Sequence, residues 1–308
     1  MKKYYILLFL IFANLFWAGN FVFGKYVVTE LAPLQMTFAR WLIAFFLLIP
    51  IAYFVEHPTW KSVWKEWKIL LTMAVLGVVG YNSLLYIALQ YTTPVNASLV
   101  NAINPVVIFL LSALFLKERI SFRRGLGLFI SLFGVLLVLT NGHLQQIFHI
   151  NYNQGDLLML VAILAWTFYS LIGKKLRTVP PISATAVSVF LGLLILFPFI
   201  IFSGIHYPLH NKKVVIGLLY FGIFPSVGSF IFWNVALRHI DASQAGVYMN
   251  LIVVFTVIIS FLLGQQITLI QIIGGILVFI GVYLTTKKER NENVFRLTKG
   301  VISKNSEE

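Results

Sequence analysis

Asn14, Trp17 and Phe21 follow one another at spacings of three and four residues inside an apolar run, so on a helix they share a face, with Asn20 beside it. Asn82 and Tyr86 stand one turn apart, and Ser98, Asn101 and Pro105 share another face. Later in the chain Trp166 with Tyr169 or Ser170, Ser229 with Trp233, and Tyr248 with Asn250 play corresponding parts. Amides and phenols set between aromatic walls can exchange hydrogen bonds with a neutral or zwitterionic solute, while indole and phenol faces cover its apolar part. The chemistry on offer is therefore binding. Each Asn has a competing structural role, an interhelical hydrogen bond worth about 0.6–2 kcal/mol, and residue type alone does not separate the two. Trp60, Trp64 and Trp67, flanked by Lys61, Lys65 and Lys68, fit an interfacial belt instead. Trp17, Trp166 and Trp233 lie deeper in their runs.

The acidic residues are Glu30, Glu56, Glu66, Glu118, Asp156, Asp241, Glu289, Glu292, Glu307 and Glu308, and none falls in the middle of an apolar run; nor does any His. Carboxylates and imidazoles inside a membrane serve as proton carriers or cation ligands. Their absence predicts no buried carboxylate relay, and so a facilitator or a carrier coupled through neutral groups. Hydrolysis would need a nucleophile with a base, so an enzyme is not expected. The chain has no cysteine, which excludes disulfides and thiolate metal sites. His143 and His149 lie in one loop without further ligands, so neither a metal nor another cofactor is expected. Arg40 is the one charge placed inside a run. Burying it at a helix centre costs about 2.5–3.5 kcal/mol on insertion scales. It is a candidate contact for an anion, a carboxylate or phosphate; the cheaper account is structural, capping carbonyls of a neighbouring helix or snorkelling outward.

The runs that carry these residues must be membrane spans. Of 308 residues, 59% are apolar and 11% charged, against about 45–50% and about 25% in a soluble domain. A water-soluble fold of this size exposes too much surface to hide that excess. Runs bounded by charge, proline or polar clusters cover about 4–24, 34–55, 68–89, 95–116, 124–140, 156–173, 183–203, 213–234, 243–263 and 270–286. The first follows Lys2 and Lys3 as a signal peptide would, but no small-x-small site ends it cleanly and it is long enough to span. With the N-terminus in the cytoplasm, nineteen Lys and Arg residues fall on that side and three, Lys25, Lys212 and Lys213, on the other. Such a bias holds only for an even number of spans, which predicts a multi-pass protein of the cell membrane with both termini cytoplasmic. It also accounts for the net charge of +13 without a nucleic-acid partner. Residues 287–308 are charged and polar and are expected to be a disordered cytoplasmic tail.

The two halves repeat. Trp17, Gly24 and Lys25 recur as Trp166, Gly173 and Lys174, a shift of 149. Pro33, Pro50, Ala88, Leu89 and Ala97 match Pro181, Pro198, Ala236, Leu237 and Ala245 at 148, and Gly127 and Gly134 match Gly274 and Gly281 at 147. Slow drift by single residues is what short loop insertions produce. Five spans in each half would make the second copy enter the membrane from the opposite face. Such inverted repeats place a site near mid-membrane between the halves and let rocking expose it to either side. The paired glycines, two turns apart on one face, are expected to let helix backbones approach closely.

The motifs in order are WAGNFVFGK (Trp17 to Lys25), FARWLIA around Arg40, NASLVNAINPVVIFLLSALFLKERIS (Asn96 to Ser121) and GLGLFISLFGVLL (Gly125 to Leu137), then LAWTFYSLIGKK (Leu164 to Lys175) and GGILVFIGVYL (Gly274 to Leu284). In order, spacing and duplication the chain resembles the EamA-type ten-helix members of the drug/metabolite transporter superfamily over about residues 5–286. The resemblance implies an all-α membrane fold with a first repeat over 1–141 and a second, inverted one over 152–286. It also implies a cavity surrounded by the first, third, fourth, sixth, eighth and ninth spans, and alternating-access transport of a small metabolite, most simply an amino acid or related compound moved outward. A nucleotide-sugar or phosphate-ester exchanger and a multidrug exporter are the alternatives within the fold. Two departures stand out: Val253 and Gln265 or Gln266 occupy the places of Pro105 and Glu118, so the second half lacks the helix-breaking proline and the acidic loop residue. The expected substrate contacts are Asn14, Trp17, Asn20, Asn82, Tyr86, Asn101, Trp166, Tyr169, Ser229, Trp233, Tyr248 and Asn250. The expected partners are the solute and the bilayer, and one chain supplies both halves, so a monomer suffices.

Overall fold

The structure, a computed structural model, describes residues 3–92, 94–149, 153–204, 207–208 and 210–286. The expected tail, 287–308, and the side chains of Lys25 and Ser98 lie outside that description. Every regular element among the described residues is helical. Ten segments are long and apolar enough to cross a membrane: Tyr4–Gly24 (span 1), Pro33–Glu56 (span 2), Trp67–Tyr91 (span 3), Leu99–Leu116 (span 4), Phe122–Thr140 (span 5), Gln154–Lys175 (span 6), Pro181–Ser203 (span 7), Lys212–His239 (span 8), Ala242–Leu262 (span 9) and Leu269–Thr286 (span 10). Large apolar side chains such as Phe46, Phe129, Phe202 and Tyr283 stand exposed on the outside of this bundle, which is where lipid would cover them.

Local chemistry sets the helix ends. Pro33 and Pro181 begin spans 2 and 7, where a missing N–H costs nothing. The side chains of Ser121 and Asn211 accept from the amides of Arg124 and Lys213 and so cap spans 5 and 8. Asn153 and Asp156 form a reciprocal capping box at the start of span 6. Spans 2, 4 and 5 stop at His57, Lys117 and Asn141, each with positive φ.

Four spans are irregular, and the irregularities pair between the halves. Span 3 contains a π-helical stretch, Ala74–Gly80, and span 8 contains another, Gly222–Gly228, a shift of 148. Span 4 continues the helix Pro94–Asn101, breaks at 102–103 and resumes as Asn104–Leu116. Span 9 breaks at 249–250, between Ala242–Tyr248 and Leu251–Leu262. In span 4 the break follows from Pro105, whose absent N–H leaves a carbonyl one turn back without a donor. Span 9 breaks at the matching place although Val253 stands where the proline would be. The interruption there does not depend on proline; the Asn250 side chain donates to Ser131 Oγ of span 5 at 2.9 Å across it.

The packing list has the same symmetry. Span 2 packs on span 7, span 4 on span 9 and span 5 on span 10; span 1 packs on spans 8 and 9, and span 6 on spans 3 and 4. Exchanging each span for the one five places on maps the list onto itself. Spans 5 and 10 meet backbone to backbone through the paired glycines: a Cβ on Gly127 would lie 2.7 Å from the Gly281 carbonyl oxygen, and one on Gly134 2.5 Å from that of Gly274. The glycine faces thus serve packing.

Candidate functional site

Span 2 carries Arg40 into the centre of the bundle, where it is 1% exposed. Its Nε donates to Ser226 Oγ of span 8 at 2.8 Å. Its Nη1 donates to Tyr86 Oη at 2.6 Å and Asn82 Oδ1 at 3.0 Å, both on span 3, and to Asn20 Oδ1 of span 1 at 3.2 Å. The Tyr86 hydroxyl in turn donates to Asn20 Oδ1 at 3.0 Å. The guanidinium lies 5.4 Å from the Trp41 ring and 5.9 Å from that of Tyr86. It neither snorkels nor caps backbone carbonyls: side chains from three other spans hold it. Both π-helical stretches take part. The wide turn of span 3 frees carbonyls, and the Asn82 amide donates to those of Gly77 and Val78 while the Trp41 indole donates to Val78. Ser226 lies within the stretch of span 8. Irregular backbone in both halves therefore fixes the groups that fix Arg40. Every acceptor around the cation is neutral, and neither ion pair found among the described residues involves it.

Beside Arg40 lies a small cavity lined by Trp17, Asn20, Phe21, Arg40, Tyr81 and Asn82 from the first half and by Trp166, Phe230, Met249 and Ile252 from the second. The space open to the centre of a water molecule is about 10 Å³, room for about one water. No metabolite fits this cavity without movement of its walls. Its walls are an aromatic cluster. The Trp17 ring meets that of Trp166 edge-on at 5.1 Å and that of Trp233 at 5.6 Å. Trp166 stacks on Tyr169 at 5.2 Å and touches Phe230 at 5.4 Å. The indole N–H of Trp166 is buried with no acceptor.

Of the residues expected to contact substrate, Trp17, Asn20, Asn82 and Trp166 line this cavity, as does Arg40. Tyr86 and Tyr169 stand just behind it: the first bonds Arg40 and Asn20, and the second, stacked on Trp166, accepts from Asn234 at 2.6 Å. The others are engaged elsewhere. Ser229 donates to the Ala13 carbonyl, Trp233 to Ser170 Oγ and Asn250 to Ser131 Oγ, while the Tyr248 hydroxyl pairs with that of Thr286. Asn14 bonds its own helix at Leu10 and leaves its Oδ1 without a donor, and Asn101, at the break of span 4, also has an unpaired Oδ1. The lining comes from spans 1, 2, 3, 6, 8 and 9, so span 2 enters through Arg40 where span 4 was expected. Tyr81, Phe230, Met249 and Ile252 were not singled out from the sequence. The repeat holds a signal for three of them, since at a shift of 148 Asn82 maps onto Phe230, Tyr81 onto Ser229 and Asn101 onto Met249.

Both ends of the bundle are tied between the halves. At one end Glu56 accepts from the amides of Ile182 and Ser183 at 2.8 and 2.7 Å and from the Ser183 hydroxyl at 2.6 Å. Glu118 does the same for Ala242 and Ser243 at the start of span 9. Lys174 lies 3.7 Å from Glu118 and donates to the carbonyls of Leu237 and Ile240, and Arg124 pairs with Asp241 at 2.7 Å. At the other end the ties joining spans 2 and 7 are neutral. The Gln35 amide donates to the Gly204 carbonyl at 2.7 Å, and Tyr207, its phenol pushed up by burial, donates to the Gln35 carbonyl at 3.2 Å.

The pattern described as the EamA-like transporter family matches this chain twice, over residues 4–140 and 153–287. Among curated proteins, one named "Uncharacterized transporter YyaM" from Bacillus subtilis (strain 168) is 29% identical over 285 residues, covering 92% of this chain and 93% of that protein. An "Uncharacterized transporter" from Archaeoglobus fulgidus is 34% identical over 278 residues, covering 89% and 95%. A crystal structure superposes with a TM-score of 0.76 at 19% identity over 91% of this chain and 97% of that one, a likeness of fold alone.

Proposed function

The chain belongs to the EamA-like transporter family, and from that premise we propose that it moves a small metabolite, an amino acid or related compound, outward across the cell membrane by alternating access. The observation that carries the reading is the closed cavity whose walls come from both halves, with the buried Arg40 at its edge. A solute held there touches both units, so a change in their relation changes which side it can reach. Five spans per half thread the second unit upside down, and the self-mapping packing list supports that arrangement. Two similar units in opposite senses have near-equivalent inward and outward states, and a small bias switches them. The positive-inside distribution places Glu56 and Glu118 at the cytoplasmic end. The ties found at both ends support reading this as the occluded state between the two.

Phosphate esters and nucleotide sugars suit the site less well. Their dianionic groups call for several converging cations, and Arg40 is the one charged side chain on the cavity wall among the described residues.

The test is counterflow in proteoliposomes with a panel of amino acids, nucleosides and phosphorylated sugars. Exchange of amino acids or their close relatives is the expected result. Exchange confined to phosphorylated sugars overturns the substrate class, and no exchange with any of them overturns the carrier. Labelling of single introduced thiols tests the threading separately: a thiol near Asn151 on the same side as the tail would remove the inverted repeat.

A further inference from the structure

The polar groups around the cavity do not balance. The oxygens of its two amides are engaged: Asn20 Oδ1 takes hydrogen bonds from Arg40 and Tyr86, and Asn82 Oδ1 takes one from Arg40. Two of its donors are not. Trp166, 1% exposed and part of the wall, has an indole N–H without an acceptor. Arg40 makes its hydrogen bonds through Nε and Nη1, and among the described residues none uses Nη2. A buried cation with neutral partners and spare donors is short of an anion.

From this surplus we propose that Arg40 and Trp166 together bind the carboxylate of the transported solute, one oxygen accepting from the guanidinium and the other from the indole. The inference rests on the carrier reading and narrows it to monocarboxylates with an apolar body. The charge of the ligand follows from the single cation, which matches one negative charge and leaves the second charge of a phosphate monoester uncovered. Its body follows from the remaining walls, Trp17, Phe230, Met249 and Ile252, which offer aromatic faces and aliphatic surface. An ammonium group is not required, because no carboxylate among the described residues lines the cavity to receive it. The same positive centre repels cationic solutes, which disfavours lipophilic amines.

The test needs binding as well as transport. Phenylalanine, 3-phenylpropanoate, phenylalaninamide and phenethylamine share one body and differ in the groups at issue, as do leucine, 4-methylpentanoate, leucinamide and isopentylamine. Thermal protection of the purified full-length protein in detergent should favour both acids of each set over the amide and amine by at least about tenfold in half-saturating concentration, the worth of a charge-assisted hydrogen bond. Trp166→Phe keeps an aromatic ring but loses the donor together with part of the indole surface, so it should shrink the acid-to-amide ratio severalfold, a ratio in which the packing loss common to both ligands cancels. Arg40→Lys, which keeps the charge without the fork, should shrink it too. Equal protection by acids and amides overturns the proposal, as does protection by none of the eight, or by inorganic phosphate in preference to the acids. An unchanged ratio in Trp166→Phe removes Trp166 from the site. Counterflow of the same compounds separates the two readings. Acid-selective protection without exchange keeps the carboxylate site and removes the carrier, whereas exchange of amides as readily as acids does the reverse.

Discussion

Glu56, the last residue of span 2, grips Ser183 in the first turn of span 7, its Oε2 accepting from the Ser183 amide at 2.7 Å and from the hydroxyl at 2.6 Å. Glu118 repeats the arrangement on Ser243 at the start of span 9. A carboxylate at a helix N-terminus gains from both the charge-assisted bonds and the helix dipole. The positions 148 residues on hold Gly204 and Gln266 instead. One end of the bundle is therefore tied by two carboxylates, and at the matching places of the other end neutral groups stand.

That asymmetry sets a direction. Glu56→Gln together with Glu118→Gln should favour the state open at the carboxylate end. Each lost charge-assisted bond is worth about 1.5–3 kcal/mol, enough to shift a two-state population by roughly tenfold or more. The chain has no native cysteine, so a single thiol at Ile252→Cys in the cavity reports the shift. Its labelling from the carboxylate end should rise severalfold in the double variant. Unchanged labelling removes the latch.

The glycine seam makes a stability prediction. Gly134→Leu or Gly281→Leu would push a side chain into the facing backbone of spans 5 and 10, and overpacking of this kind costs about 1–3 kcal/mol. Both should lower the melting temperature and the amount of protein recovered from membranes. Gly125→Ala, on span 5 with nothing within 4 Å of the added methyl, should leave both within error. If the leucine variants melt with the parent, the seam does not hold the bundle.

Cavity walls and end ties separate in function. Trp17→Ala takes away an aromatic wall that touches three rings of the second half and should lower counterflow by about tenfold or more at normal membrane abundance, as loss of a buried aromatic contact does in a binding site. Tyr248→Phe removes only the hydroxyl that pairs with Thr286 at 2.8 Å and should leave counterflow within about twofold. The opposite ranking would move the site away from this cavity.

The spans were legible because lipid demands long apolar runs, and charge marks where each one stops. Span 8 ran five residues further than expected, to His239, because Arg238 reaches the Val179 carbonyl and lets the last turn carry a charge. The division of the amides and phenols was not legible. Ser229 and Trp233 share a helix face as Asn82 and Tyr86 do, yet Ser229 ties span 8 to span 1 while Asn82 presents its oxygen to Arg40. The groups are chemically alike, and only the packing of the other half decides which tie is made. The break of span 9 was hidden for a related reason. Proline writes a helix break into the sequence, whereas a break sustained by a contact such as Asn250 with Ser131 leaves no local mark.

Coupling is the last consequence of the cavity's composition. A carrier driven by protons needs a group in or beside the site that changes charge as the site changes sides. Among the described residues the walls hold no carboxylate and no imidazole. Glu56, Glu118 and Asp156 are engaged in ties between the halves at the ends of the bundle, by Ser183, Ser243 and Thr92, and do not line the cavity. Counterflow at symmetric pH and with an imposed pH gradient of either sign should therefore run at the same rate for a substrate of fixed charge. Stimulation by the gradient that is abolished on neutralising one residue would identify a relay and overturn this expectation. If that residue were Glu56 or Glu118, proton uptake would act on the latch, and transport would be gated by pH without the proton being carried.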